Sequence, residues 1–270
     1  MKIAFIGGGN MAAALIGGLI KRGVAPADLY AIDVNEDART RTHEQFGIAT
    51  AASADEALVD YDAIVLAVKP QVLKAVSASL APHLSTQLVV SIAAGIRGVD
   101  LSRWLGGYTR IVRAMPNTPA LIGQGVTGLA ALSGVDETGR SLASQVLGAV
   151  GTTVWFDDEA KIDAVTAISG SGPAYVFYFI EALQEAARRL GLGEDEGRAL
   201  ALGTFAGAAQ LAVQSEESAS VLRERVTSKG GTTAAALAAF DAQGVKEAIV
   251  NGVLAADARA KEMGDELGNQ

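Results

Sequence analysis

The sequence predicts an α/β chain: a doubly wound, mainly parallel sheet in its first part, followed by an all-helical second part. Three observations predict it. Up to about residue 158, short apolar runs alternate with longer amphipathic stretches. After that point strand-like runs stop, and long Ala- and Leu-rich helical patterns take over. A glycine-rich turn, Gly7-Gly8-Gly9, joins the first apolar run to the first helical pattern. Continuous apolar strands alternating with helices indicate a parallel sheet covered on both faces. The division expected is 1–158 for the α/β part and 159–270 for the helical part.

The expected strands are Ile3–Ile6, Leu29–Ile32, Ala63–Ala67, Leu88–Ile92 and Arg110–Arg113. Met11–Arg22, Glu36–Phe46 and Val72–Leu80 read as helices between them, because their apolar residues recur at helical spacing. Val126–Leu132 and Thr153–Phe156 bracket a helix from about Asp136 to Val150 and extend the same sheet. The second part reads as helices near Pro173–Leu190, Asp195–Val213, Ser218–Val226, Thr232–Phe240 and Val245–Lys261, separated by glycines and short polar turns.

Composition narrows the function. Half of the 270 residues are hydrophobic and 19% are charged, the balance of a globular protein. The apolar share leans on Ala and Gly, with 5% aromatics, which suits closely packed helices. A net charge of −8 argues against a nucleic-acid partner, which selects basic faces. With no cysteine, disulfides, thiol catalysis and thiolate metal sites are excluded. Met1-Lys2 leads straight into a buried strand, so no secretory signal is expected. Pro173–Ile180 is too short to span a bilayer, and Ala199–Val213 is mostly Ala and Gly with Gln210 inside. The expected location is the cytoplasm.

The first chemistry lies in Gly7-Gly8-Gly9-Asn10-Met11-Ala12, which follows a strand and opens a helix within a βαβ unit from Lys2 to about Asn35. It matches G-x-G-x-x-A, the dinucleotide-binding turn of the Rossmann fold. The first glycine permits the tight turn, the second lets the backbone approach a pyrophosphate, and Ala12 lets helix and strand pack closely. Helix N-terminal amides then face the phosphate charge. A nicotinamide cofactor is therefore expected. Asp33, at the end of the second strand, is placed to accept from a ribose 2′-hydroxyl and leans toward NAD. Arg39 and Arg41 read as a solvated helix face that is also able to turn toward a phosphate, and Asn35 suits either dinucleotide. Ala67-Val68-Lys69-Pro70 ends the third strand, and strand C-termini line the ligand crevice of such sheets. For Lys69, contact with cofactor phosphate or ribose and simple capping of a turn both fit. Ala93-Ala94-Gly95 offers small residues where a nicotinamide ring fits, and Met115-Pro116-Asn117-Thr118-Pro119 lies at the same rim.

Two strings stand out in the second part. Ser169-Gly170-Ser171-Gly172-Pro173-Ala174-Tyr175 and Thr227-Ser228-Lys229-Gly230-Gly231-Thr232-Thr233 each precede a helix. Both fit helix capping, and both also offer amides and hydroxyls to a small anion; the paired glycines and threonines of the second favour a carboxylate.

Taken in order, Gly-Gly-Gly-Asn-Met at 7–11, Ala-Val-Lys-Pro at 67–70, Ser-Ile-Ala-Ala-Gly at 91–95, Arg-Ala-Met-Pro-Asn-Thr-Pro at 113–119, Ser-Gly-Ser-Gly-Pro-Ala-Tyr at 169–175 and Gly-Gly-Thr-Thr at 230–233 resemble the pyrroline-5-carboxylate reductase family over nearly the whole chain. The resemblance implies the last step of L-proline biosynthesis, in which NAD(P)H, usually NADPH, delivers hydride to C5 of 1-pyrroline-5-carboxylate. It implies cofactor contacts at Ile6, Gly7, Gly8, Gly9, Asn10, Met11, Asn35, Ala67, Val68, Lys69 and Pro70. It implies substrate contacts at Gly230, Gly231, Thr232 and Thr233, with Thr233 near the ring nitrogen as the catalytic residue, and at Glu216. It also implies a dimer through the helical domains, and often a pentamer of dimers. Two positions depart from the pattern: Lys229 stands where the family has proline, and Asp33 leans toward NAD in a family that favours NADPH.

The chemistry agrees with the residue types. A protonated imine is already electrophilic, so holding nicotinamide C4 against the substrate C5 is the main requirement. A hydroxy-acid dehydrogenase needs a His or Lys acid/base. The two histidines, His43 and His83, lie outside every motif, and Pro173–Leu190 contains no lysine. A cofactor-binding sensor without catalysis is the other reading.

Overall fold

A computed structural model describes residues 1–269. Its compact units divide after Ser171: the first comprises Met1–Ser171 with the chain from Ala256 onward, the second Gly172–Ala255.

The first unit is built on one eight-stranded sheet. Its strands are β1 (Ile3–Ile6), β2 (Leu29–Ile32), β3 (Ala49–Ala51), β4 (Ala63–Leu66), β5 (Leu88–Ser91), β6 (Ile111–Met115), β7 (Gly125–Ala131) and β8 (Gly151–Phe156). They lie in the order β3-β2-β1-β4-β5-β6-β7-β8. All neighbours pair in parallel except β6 and β7, so β7 and β8 run against the rest. Sequential order reverses between β1 and β4, where a doubly wound sheet leaves its ligand crevice.

The four-residue strands β1, β2, β4 and β5 are buried throughout, as helices on both faces require. On one face α1 (Asn10–Lys21) and α5 (Glu137–Gly148) bury Leu15, Ile16, Leu19, Val146 and Leu147 against β1 and β5. On the other, α3 (Pro70–Leu80) and α4 (Gly98–Trp104) bury Leu73, Leu80, Leu101 and Trp104. The helix α2 (Glu36–Phe46) spans the predicted residues, from an Asn35 cap to a left-handed Gly47.

Several boundaries differ from expectation. β3 and α4 carry no clear period, being three and seven residues long. The fifth predicted strand, Arg110–Arg113, runs instead over Ile111–Met115, where pairing with β5 and β7 sets its register. The sequence divides the chain at 158/159; residues 159–171 instead pack with the sheet. There α6 (Lys161–Val165) and a π-helical turn over Thr166–Gly170 lie against it. Buried Arg113 of β6, 3% exposed, pairs with Asp163 at 2.8 Å and Glu159 at 3.2 Å and ties this segment to β6.

The second unit contains α7 (Gly172–Arg189), α8 (Glu194–Gln214), α9 (Ala219–Arg225), α10 (Thr232–Ala242) and the start of α11 (Val245–Gly268). α7 and α8 pack closely: a Cβ on Gly197 would sit 2.9 Å from the Ala187 Cβ, and the Phe179 and Phe205 rings stack at 6.4 Å. The small residues thus do what composition suggested. α8 nonetheless leaves Leu200 60% and Val213 81% exposed. α11 runs to Gly268, beyond the predicted Lys261, because its last turns are buried on the first unit's own core. Among the described residues no helix is long and apolar enough to cross a membrane.

Candidate active site

The glycine-rich turn forms because β1 must end abruptly. Gly7 adopts φ +103°, and its amide donates to the Ile32 carbonyl at 2.7 Å. A Cβ there would stand 2.7 Å from the Ala67 carbonyl oxygen, so only glycine lets the β1 and β4 ends lie this close. Gly9 is the N-cap of α1 and has no side chain to satisfy the first-turn amides. A Cβ on Gly9 would meet nothing within 4 Å. The helix N-terminus therefore opens on free space, the arrangement a pyrophosphate needs. Ala12, fully buried, brings α1 against the sheet. These features fit a dinucleotide.

The residues expected to bind cofactor gather around this turn. Ile6 and Gly7 line a cavity of about 360 Å³ with Ile32, Asp33, Val34 and Val68, on the β2 side of the crevice. Gly8, Asn10 and Met11 continue the turn into α1. Ala67 donates its amide to the Ile6 carbonyl at 2.8 Å, which fixes the Ala67–Pro70 strand end beside Gly7. Lys69 is exposed and precedes Pro70, the first residue of α3.

Asp33 has a role the sequence did not show. One carboxylate oxygen accepts the Gly8 amide at 2.7 Å, the other the Asn35 amide at 2.8 Å. It is therefore a backbone anchor holding the glycine turn to the β2–α2 loop, whatever else it meets. Asn35 uses its side-chain oxygen to cap α2 through the Ala38 amide at 3.0 Å. Arg39 does not lie free on a solvated face: its guanidinium donates to the Asp33 and Val34 carbonyls at 2.8 and 3.1 Å. Its positive charge stays at the end of β2. Sequence reasoning missed this because the contact runs backward across a loop.

At the rim, the Asn117 amide group bridges the first unit's segments. It donates to the Ser169 carbonyl at 3.2 Å and accepts from the Val126 amide at 2.9 Å. The π turn brings Gly170 against Met115: a Cβ there would lie 2.6 Å from the Met115 Cε. The Ser-Gly-Ser-Gly string is thus packed by its backbone onto the 115–117 loop. Of the two histidines, His43 is on α2, bonded to the Ile48 carbonyl at 2.9 Å, and His83 ends the turn after α3.

In the second unit, Gly230 adopts φ +73° and Gly231 caps α10 with no side-chain partner. The Gly231 amide donates to the Ser228 carbonyl at 3.0 Å, so the amides opening α10, from Thr232 on, are the donors there. Thr233 is half-buried and Thr232 exposed. Lys229 and Glu216 are exposed. Glu216 lies in the α8–α9 turn, whose Glu217 pairs with Arg225 at the end of α9. That ion pair joins the turn to the segment leading into Ser228.

Comparison with known proteins places this arrangement. Residues 159–263 match the family model for pyrroline-5-carboxylate reductase dimerisation, and residues 2–95 match that for coenzyme F420-dependent NADP oxidoreductase. A pyrroline-5-carboxylate reductase of Pseudomonas aeruginosa is 48% identical over 99% of this chain and 98% of its own length. One from Haemophilus influenzae is 44% identical over 97% of each. Among solved structures, a pyrroline-5-carboxylate reductase from Coxiella burnetii has a TM-score of 0.92 at 40% identity, covering 97% of this chain and 98% of its own. That of Plasmodium falciparum with NADP bound has 0.87 at 30% identity, covering 98% of each. With identity of this level along its full length, the chain belongs to the pyrroline-5-carboxylate reductase family.

Proposed function

We propose that the protein reduces the C=N bond of 1-pyrroline-5-carboxylate to give L-proline, with NADPH as hydride donor. The observation that carries the proposal is the glycine-rich turn open at the α1 N-terminus, in a chain of this family. When bound, NADPH supplies the hydride that adds to C5.

The chain's residues bind and orient. Ile6 to Met11 take the pyrophosphate, while Asp33 and Asn35 face the adenosine ribose. Ala67, Val68, Lys69 and Pro70 flank the turn, and Ala93-Ala94 leave room for a flat ring. At α10, the amides from Thr232 on meet the substrate carboxylate, with Gly230 and Gly231 shaping the loop and Glu216 lining the pocket. The Thr233 hydroxyl sits at the ring nitrogen as hydrogen-bond partner. The imine nitrogen takes its proton before reduction, so no strong side-chain acid is needed. Lys229 is an exposed turn residue of this loop, with attraction of the substrate carboxylate as its alternative role.

One observation favours NADH as the alternative donor: the Asp33 carboxylate at the end of β2, which repels a 2′-phosphate. Arg39, held at the same strand end, offsets that charge and supports NADPH. The helical unit is proposed to form a dimer, and dimers a decamer, because α8 beyond its charged first turns is mostly apolar from Ala199 to Val213 and exposes Leu200, Leu211 and Val213. A cytoplasmic location is proposed with it.

The test is a paired assay with pyrroline-5-carboxylate and either cofactor. NADPH should be consumed faster than NADH with proline as product, and no turnover with either would defeat the proposal. Thr233→Ala should lower turnover by roughly tenfold or more while NADPH affinity stays near wild type, since one positioned hydrogen bond is lost. Equal loss of both would contradict the role of Thr233.

A further inference from the structure

The last turns of α11 pack on the loop that follows β5. Gly95 in that loop adopts φ +73°, and a Cβ built there would lie 3.2 Å from the Met263 Cβ and 3.5 Å from the Leu267 Cδ1. Leu267 is 7% exposed and belongs to the same buried cluster as Ala93, Ile96, Leu101 and Trp104; Met263 packs against that cluster. Gly264 and Gly268, one helical turn apart, let the helix come close: Cβ atoms there would meet the Arg97 guanidinium at 3.1 Å and the Asp100 carboxylate at 2.3 Å. Arg97 pairs with Asp265 at 2.8 Å, and Arg103 donates to the Gly268 carbonyl at 2.5 Å. The contact is therefore continuous over Met263 to Gly268, whereas the family-model match ends at Met263.

The place of that loop gives the contact its meaning. β1 and β2, with the glycine turn and Asp33, form the half of the crevice that takes the adenosine side. β4 and β5 lie across the switch point, so the loop after β5 borders the other half, where the nicotinamide must lie. Its residues Ala93, Ala94 and Gly95 are small and shape a flat space only if the backbone is held from behind.

We infer that Met263 and Leu267 are positioning residues for the reduction, holding the Ala93–Arg97 loop against which the nicotinamide ring is placed. This inference rests on the reading of the first unit as a nicotinamide-dinucleotide site. Displacement of a reactive group by about 1 Å costs up to about a hundredfold in rate, so slackening this loop should be visible.

The experiment compares Met263→Ala, Leu267→Ala and the volume-conserving Leu267→Met in the full-length protein. Titrations use NADPH, followed by its nicotinamide fluorescence, and the fragment 2′-phospho-ADP-ribose, which lacks nicotinamide. The alanine variants should bind the fragment within about twofold of wild type, lose the fluorescence change of bound NADPH, and turn over roughly tenfold slower. Leu267→Met should restore all three. Alanine variants with wild-type turnover and fluorescence, or with fragment and NADPH affinity falling together, would overturn the inference. Should Leu267→Ala fail to fold, the half-buried Met263→Ala carries the test. Failure of the wild type to reduce pyrroline-5-carboxylate would sink the proposed reaction instead, while the two binding titrations would still decide the role of the loop.

Discussion

Gly7 and Gly9 stand two residues apart in one turn, yet alanine at each should fail in a different way. At Gly7 the backbone has φ +103°, where an L side chain is strained by about 1–2 kcal/mol. The new methyl would also stand 2.7 Å from the Ala67 carbonyl oxygen and 2.9 Å from the Val68 Cγ1, closer than real Cβ atoms come. Overpacking of this kind adds about 1–3 kcal/mol. Gly7→Ala should therefore lose about 2–5 kcal/mol, or roughly 4–20 °C in Tm for a chain of this size at fixed protein concentration. It should also lose NADPH binding, because the β1 and β4 ends must separate. Gly9 is extended at φ −75°, and its methyl would meet nothing within 4 Å. Its stability should change by less than about 1 kcal/mol, the poorer N-cap set against a less flexible unfolded chain. The methyl would instead occupy the space in front of the α1 amides, so NADPH affinity should fall by roughly tenfold or more. Thermal melts and NADPH fluorescence titrations of both variants read this out. Wild-type NADPH affinity in Gly9→Ala, or equal thermal losses in the two, would refute the account of the turn.

Asp33→Ser should raise KM for both cofactors, because the Gly8 and Asn35 amides lose their acceptors, and shift the NADPH/NADH ratio toward NADPH; an unchanged ratio would mean that Asp33 acts only as a backbone anchor. Arg113→Met should cost about 3–5 kcal/mol in urea unfolding, since it leaves the buried Asp163 carboxylate without its cation, and adding Asp163→Leu should recover most of it. A single-variant loss below about 1 kcal/mol would contradict that. Burial, reinforced by Asp55 at 3.3 Å, pushes the Tyr30 hydroxyl from 10.0 up to about 12. The folded state then holds this proton more tightly than the unfolded one, so its contribution is complete below pH 10 and is lost as pH rises to about 12. Tyr30→Phe should flatten the stability profile in that window; an unaltered profile would rule Tyr30 out as its source.

The parts of the fold legible in the sequence are those whose signal is local. Ile3–Ile6 and Leu29–Ile32 read as strands because four buried residues in a row need no distant partner to be recognised. Glu36–Phe46 read correctly to the residue because Asn35 and Gly47 punctuate it. The glycine turn was legible for the same reason: strand, glycines and helix follow one another along the chain.

What the sequence determined by itself was therefore the alternation of elements, a glycine turn of the dinucleotide-binding form, and the ordered motifs of one reductase family. The tertiary structure alone decided which side chains act on distant backbone. It gave Asp33 a further task as an anchor of Gly8, and set Arg39 behind it. It also folded a charged tail, Lys261 to Gly268, into a helix end with Leu267 buried on the Gly95 loop. The physical reason is common to the Asp33 anchor and the buried helix end. A hydrogen bond or packing contact between residues 25 or about 170 positions apart leaves no periodicity in either segment, and becomes visible only when the sheet order has brought them together.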